Sequence, residues 1–172
     1  MDEAIAIKKT FTFHEAIVCG MIETVKDFLK DNQGVVNTYS ADGFTPLSLA
    51  AFFERTEIAK LLLEKGADPT LHATNPSKVN ALHSAVARSN YELSKLLVDA
   101  GVNVNATQTQ NVTPLHSAAH NGNLQLVKLL VENGAKINLK MDNGMTAIDF
   151  AEKDGHAEVK AYLESKVKNS HA

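Results

Sequence analysis

Apolar positions along this chain alternate between a short rhythm and a long one. From residue 113, Leu115, Ala118 and Ala119 mark one narrow apolar face at helical spacing, bounded by Asn121-Gly122. Leu124, Val127, Leu129, Leu130 and Val131 then mark a longer amphipathic helix that Gly134 ends. Thr113 suits the helix N-cap, because its hydroxyl can accept from an orphan amide. Pro114 suits the first helical position, where no N–H is needed. Polar Thr107 to Asn111 form the turn into this unit, and Met141 to Gly144 the turn into the next. The same short-helix, long-helix reading runs through Thr45 to Gly66, Asn80 to Gly101 and Thr146 to about Glu164, with a worn copy from Phe11 to Gly34. Glu54 and Ser89 stand where other units place Gly20, Gly122 and Gly155, so those two turns must adjust to a side chain.

The units share a phrase. Thr45-Pro46-Leu47-Ser48, Asn80-Ala81-Leu82-His83, Thr113-Pro114-Leu115-His116 and Thr146-Ala147-Ile148-Asp149 are four versions of it, and Phe11-Thr12-Phe13-His14 is a degraded fifth. Successive first residues are separated by 34, 35, 33 and 33 positions. A period near 33 with a T-P-L-H phrase resembles the ankyrin repeat. The resemblance implies an all-α solenoid of stacked helix–turn–helix units with short hairpin-like turns. A helix pair of this size cannot bury its own apolar stripe, so neighbours must stack into one continuous core. The expected organisation is an extension over 1–9, a repeat domain over 10–164 (about 10–41, 42–75, 76–109, 110–141 and 142–164) and a tail over 165–172. The 35-residue step puts two extra residues into the turn around His72 to Ser77, which is expected to protrude and to be more mobile than its neighbours.

Bulk composition narrows the function. The chain has 172 residues, 44% hydrophobic and 22% charged, with a formal charge of −3. That balance argues against a general nucleic-acid footprint. No apolar run approaches the roughly 18–20 residues that cross a bilayer, which argues against a membrane partner. Met1-Asp2-Glu3-Ala4 lacks the basic start and apolar middle of a signal peptide, and the single Cys19 permits no internal disulfide. Both fit an intracellular protein, with a secreted effector as the alternative.

Seven histidines invite metal or catalytic readings, which the pattern weighs against. The resemblance implies that His14, His83 and His116 are structural ties within and between repeats. His116 and His120 have the i, i+4 spacing of a zinc pair, but Ser117-Ala118-Ala119 between them supplies no acidic partner or third ligand. Cys19 has no histidine in phase with it and reads as a partly buried, inert thiol. Nucleophile-elbow and phosphate-loop motifs are absent from the sequence. Glu57 and Glu64 read as solvated surface. Asn37, Asn105 and Asn138 recur in phase; in the family such an asparagine stabilises a turn and can be hydroxylated in animal cells. No catalytic residue, metal site or cofactor is expected.

The family resemblance implies binding through the turn tips and the exposed part of the first helices. The column before the phrase reads Thr10, Phe44, Val79, Val112 and Met145. The positions ending the first helix read Val18-Cys19, Phe52-Phe53, Ala87-Arg88, His120-Asn121 and Lys153-Asp154. The surface thus grades from apolar to polar. Phe44, Phe52 and Phe53 fall together at positions expected to be exposed, and a soluble protein seldom exposes such a cluster without a partner. The sequence therefore predicts a non-catalytic protein-binding module. Its partner-binding residues are Phe44, Phe52, Phe53, Val79, Arg88, Val112, His120 and Asn121. The alternatives are a homodimer through the Phe cluster, cover of that cluster by Ala4 to Ile7, and a His-based metal protein or enzyme.

Overall fold

A computed structural model describes residues 11–169; Thr10 and the segments 1–9 and 170–172 lie outside the described residues. Among the described residues the chain forms five helix pairs: α1 (Phe13–Val18) with α2 (Ile22–Asp31), α3 (Pro46–Phe52) with α4 (Thr56–Glu64), α5 (Ala81–Ala87) with α6 (Tyr91–Asp99), α7 (Pro114–His120) with α8 (Leu124–Glu132), and α9 (Ala147–Lys153) with α10 (Ala157–Asn169). Short 3₁₀ turns cover Gln33–Asn37 and Thr109–Asn111. Odd-numbered helices pack on odd-numbered ones to make an inner layer, and even on even an outer one.

Each first helix starts where the sequence places a cap. The side chains of Thr45, Asn80, Thr113 and Thr146 accept from the backbone N–H three residues on, at 3.0, 3.1, 3.4 and 3.3 Å. The first unit departs from expectation. Its cap is Thr12, whose hydroxyl accepts from Glu15 N at 3.2 Å while the Glu15 carboxylate accepts from Thr12 N at 2.7 Å. The worn phrase therefore begins one residue later than expected, α1 is one residue shorter than α3, and His14 sits at the second helical position. Gly34 is no helix terminator either. Asn32 ends α2 in extended backbone, and Gly34 lies inside the 3₁₀ turn. At the other end α10 continues to Asn169, past the expected repeat boundary at 164.

Fully buried leucines, among them Leu47, Leu62, Leu82, Leu97, Leu115 and Leu130, fill the space between units. Ala50, Ala51, Ala85, Ala118, Ala119 and Ala151 are completely buried on the inner helices, where small side chains let neighbouring backbones approach.

The turn tips pair like hairpins. Ser40, Ala73, Gln108 and Met141 donate their N–H groups to Phe44, Val79, Val112 and Met145 carbonyls at 2.7–2.9 Å. The enlarged turn is not the loose loop that its two extra residues suggest. Thr74 N donates to Gly43 O at 2.9 Å, Asn75 Nδ2 to Asp42 O at 2.8 Å, and Thr109 N to Ser77 O at 3.1 Å. The insertion thus ties unit two to unit three, where Ser48 replaces the phrase histidine and bonds only Thr45 within its own unit, at 2.9 Å.

The inter-helix turns explain the missing glycines. Gly20, Glu54, Ser89, Gly122 and Gly155 all have φ between 55° and 77°, so the left-handed turn is kept whatever residue stands there. What differs is the next unit's side chain. Arg55 reaches back over Gly20 to Val18 O (2.9 and 3.1 Å), and His156 reaches over Gly122 to His120 O (2.9 Å). A Cβ at Gly122 would lie 2.4 Å from His156 Nδ1. Beside Glu54 and Ser89 the corresponding residues are Asn90 and Asn123. Each turns back to cap its own helix, accepting from Leu93 N and Leu126 N at 3.0 and 3.1 Å. Gly122→Ala is therefore expected to lower the urea midpoint by more than the ~1–2 kcal/mol left-handed penalty alone, and His156→Ala should recover part of that loss. Ser89→Gly should raise the midpoint. Equal effects at 89 and 122 would contradict this account.

Candidate functional site

The inner helices leave a groove of about 450 Å³ on the side of the turn tips. Phe44, Leu49, Phe52, Phe53, Val79 and Ala87 make its apolar wall, with Val18 at the first-unit edge. Ser48, Ser84 and Ser117 on successive inner helices, with Gln108, Ser77 and Asp42 from the tips, supply polar groups. Its size and mostly apolar lining are those of a binding site.

Phe52 and Phe53 are 48% and 38% exposed, and their rings meet edge to face at a centroid distance of 5.3 Å. Phe44 corrects the expectation of three exposed rings. It is partly buried against the core and presents only part of its surface to the groove. Arg88 stands beside the aromatic pair. Its guanidinium lies 5.7 Å over the Phe52 ring, and its Nε donates to Glu54 Oε1 at 3.1 Å.

Of the other residues predicted to bind, Val79 lines the groove, whereas Val112 and His120 line a second, smaller cleft of about 100 Å³ with His116, Met141 and Phe150. Ser117 lines both, so the two clefts adjoin. His120 Nδ1 lies 2.7 Å from Asp154 Oδ2, and its ring meets Phe150 edge to face at 5.8 Å. Asn121 is exposed, and its amide donates to Val86 O at 3.4 Å, so it joins units three and four. Phe150 and Leu49 were not singled out by sequence. The signal was present: Leu49, Ser84, Ser117 and Phe150 share one column, the fourth residue after each cap. Cys19 is exposed rather than partly buried, at the C-cap of α1, where Phe53, Arg88 and Asn121 of the next units are exposed as well.

The phrase histidines tie their helices within and between units. His14 Nε2 donates to Thr38 O at 2.9 Å, and His116 Nε2 donates to Leu139 O at 3.1 Å. The His116 Nδ1 accepts from Thr113 N and Oγ1 at 3.1 and 2.8 Å. Both ring nitrogens of His116 are therefore engaged, and no lone pair is left for an ion. Among the described residues no group of three or more His, Cys, Asp or Glu side chains is arranged to hold a metal. Asn37 and Asn105 tie units in the same manner. Their amides donate to Gly66 O and Gly134 O, and their carbonyls accept from Asp68 N and Lys136 N.

His83, on the groove floor and 2% exposed, is held less well. Its Nδ1 lies 2.8 Å from Asn80 Oδ1 and its Nε2 3.3 Å from Val112 O. Burial pushes the imidazole down to about 4, against the pull of the Val112 carbonyl and with help from His72 nearby. A neutral ring has one proton and cannot donate to both oxygens. The hydroxyl of Thr113 accepts from one group and donates to another through a single oxygen, whereas the Asn80 carboxamide oxygen only accepts. The Asn80 Nδ2, meanwhile, is buried without a partner. Burial also lowers His116, opposed by the Leu139 carbonyl.

Comparison with known proteins agrees with this geometry. The family model described as ankyrin repeats in three copies matches residues 13–108 and again 82–170. The chain belongs to the ankyrin repeat family. It is 36% identical over 89 residues to an ankyrin repeat protein of fowlpox virus (strain NVSL), covering 52% of this chain and 20% of that one. It is 32% identical over 75 residues to the human DNA-binding protein RFXANK, covering 44% and 29%. It is 40% identical over 62 residues to an ankyrin repeat protein of Rickettsia bellii (strain RML369-C), covering 33% and 37%. The chain thus spans well under half the length of each of these relatives. Ankyrin repeats generally mediate protein–protein interaction and are generally non-catalytic.

The state of His83 makes stability depend on pH. Between the unfolded value near 6.5 and the folded value near 4, the unfolded chain binds more protons. The stabilisation is complete above about pH 6.5 and is lost as pH falls toward 4, by roughly 2–4 kcal/mol. Urea midpoints across that window should fall less steeply for His83→Gln than for the wild type. At pH 7, Asn80→Thr should raise the midpoint by about 1 kcal/mol, since a hydroxyl would serve both His83 N–H and Nδ1.

Proposed function

We propose that this chain is a non-catalytic protein-binding module whose partner seats in the groove across units two to four. The observation that carries this reading is the exposed Phe52–Phe53 pair on the wall of a 450 Å³ apolar groove. Large exposed apolar side chains are few among the described residues: Tyr39, Phe52, Phe53 and Tyr91. Only the two phenylalanines line the groove. Two features favour insertion of partner side chains over a flat contact: the rings form one wall, and Ser84 and Ser117 give the floor polar groups. Burying one phenylalanine is worth roughly 1.5–3 kcal/mol, and binding energy concentrates in such desolvated anchors.

In this reading Phe44, Phe52, Phe53 and Val79 form the apolar centre. Arg88 and Asn121 form a polar rim, and Val112, His120 and Phe150 extend the surface toward unit five. The enlarged tip from His72 to Ser77 adds contacts at the groove mouth through Ser77. The family's general role supports the class of function, and the apolar groove with its exposed ring pair supports this choice of face.

Replacing Phe52 and Phe53 together by Ser should weaken partner binding at least tenfold, or about 1.4 kcal/mol. The thermal midpoint should barely change, because neither ring belongs to the buried core. Titration calorimetry against a captured partner, paired with a melting curve, tests both halves. Unchanged affinity would move the site elsewhere, and concentration-dependent sedimentation abolished by the same change would turn the reading to a homodimer.

A further inference from the structure

Resting on the groove reading, we infer that the chain covers its own groove: Ile5 and Ile7, ahead of the first unit, occupy the aromatic centre, and a partner binds by displacing them. Residues 1–10 lie outside the described residues. The attachment point, reach and sequence of this segment all match the groove.

Thr45, which follows directly on the second tip, caps α3, and Thr12 caps the corresponding end of α1. The segment therefore joins the fold on the tip side of unit one. There α1 packs on α3, and α3 on α5. Packed helices lie about 8–10 Å apart, so unit two is one such step from Thr12 and unit three is two steps, about 20 Å. An extended chain covers about 3.3 Å per residue, which lets Ile7 reach about 16 Å from Thr12 and Ile5 about 23 Å. Those lengths cover the span from Phe44 and Phe52 in unit two to Val79 in unit three. A tethered segment acts at an effective concentration of about millimolar, so weak contacts suffice to seat it.

The groove suits an uncharged aliphatic occupant. Phe44, Leu49, Phe53 and Val79 line it, and the Arg88 guanidinium already covers one face of Phe52. The rim charges balance, with Asp42 and Glu54 against Lys78 and Arg88. Ala4-Ile5-Ala6-Ile7 has the matching character.

The charges flanking that run come in the matching order as well. Glu54 and Arg88 are bonded to each other. That leaves Asp42 on the second tip and Lys78 on the third, both exposed, whose bonds with other described residues are made by the backbone alone. Counting back from Thr12, the segment presents Lys9-Lys8, then the isoleucines, then Glu3-Asp2. Lys8 reaches about 13 Å and Glu3 about 30 Å from Thr12, enough for the second and the third tip respectively. The opposite order would set like charges together at both tips.

The test uses the full chain, with each variant first checked for folding by circular dichroism. In wild type labelled at its isoleucine methyls, nuclear Overhauser contacts should join Ile5 and Ile7 to the rings of Phe44, Phe52 or Phe53. Ile5→Ser with Ile7→Ser should raise the emission of the apolar-surface dye anilinonaphthalene sulfonate about threefold. Adding Phe52→Ser with Phe53→Ser should abolish the rise. Lys8→Glu with Lys9→Glu should raise emission too, and Asp42→Lys in that background should reverse it. Absence of the methyl contacts, equal emission from wild type and the isoleucine variant, or no rescue by Asp42→Lys overturns this inference. The groove reading still stands after any of these if emission depends on Phe52 and Phe53. Emission indifferent to those two rings in every form overturns both.

Discussion

Everything in this molecule depends on burial between units rather than within them. A pair of helices seven and nine residues long has an apolar stripe on each helix and no third surface to close it. The stripe on α3 and α4 is covered by α5 and α6 on one side and by α1 and α2 on the other, and the pattern repeats along the chain. Leucines supply the area, while alanines on the inner helices set how near the next backbone can come. The core is consequently a strip, and each unit is stable only through its neighbours.

Polar ties keep that strip in register. Several backbone groups freed at the turns are met from the adjacent unit: Val18 O by Arg55, His120 O by His156, and the glycine turns by Asn37 and Asn105, while His116 holds Leu139 O of its own unit. Where one device is missing, another stands in. Unit two has Ser48 instead of histidine, and the longer tip that follows restores the cross-link through Thr74 and Asn75. These bonds matter less for their individual strength than for leaving few buried polar groups unpaired. Asn80 is an exception, and it sits beneath the groove.

The same architecture creates the candidate site. Each inner helix starts at its tip and ends at the inter-helix turn, and residues from both ends line a common groove. Where such a position is exposed, core packing leaves its residue type free. Unit two uses that freedom for aromatic rings, unit three for Ala87 and Arg88, and unit four for His120, which pairs with Asp154 of unit five. The concave side thus grades from apolar to charged along the chain.

The sequence alone determined the repeating helix pair, its period, its caps and the columns that face the groove. Each of these is a local consequence of residue type and spacing: a hydroxyl before a helix, a glycine after it, leucines every three or four residues. It also marked Phe52 and Phe53, because periodicity places them outside the core stripe. Only the tertiary structure decided how far each column residue is exposed. Phe44 is partly buried against the core, Val112 and His120 fall into a separate cleft, and Phe150 joins it from the next unit. The register of the first unit also waited on the fold. Spacing alone points to Phe11 as the cap position, yet Thr12 and Glu15 close a capping box one residue later. The tolerance of Glu54 and Ser89 in left-handed turns depended on Asn90 and Asn123 folding back onto their own helices. The Thr12–Glu15 and Asn90–Leu93 bonds are local, three positions apart, whereas the reaches of Arg55 and His156 join neighbouring units more than thirty positions apart. No local pattern records which side chain will reach across and which will turn away.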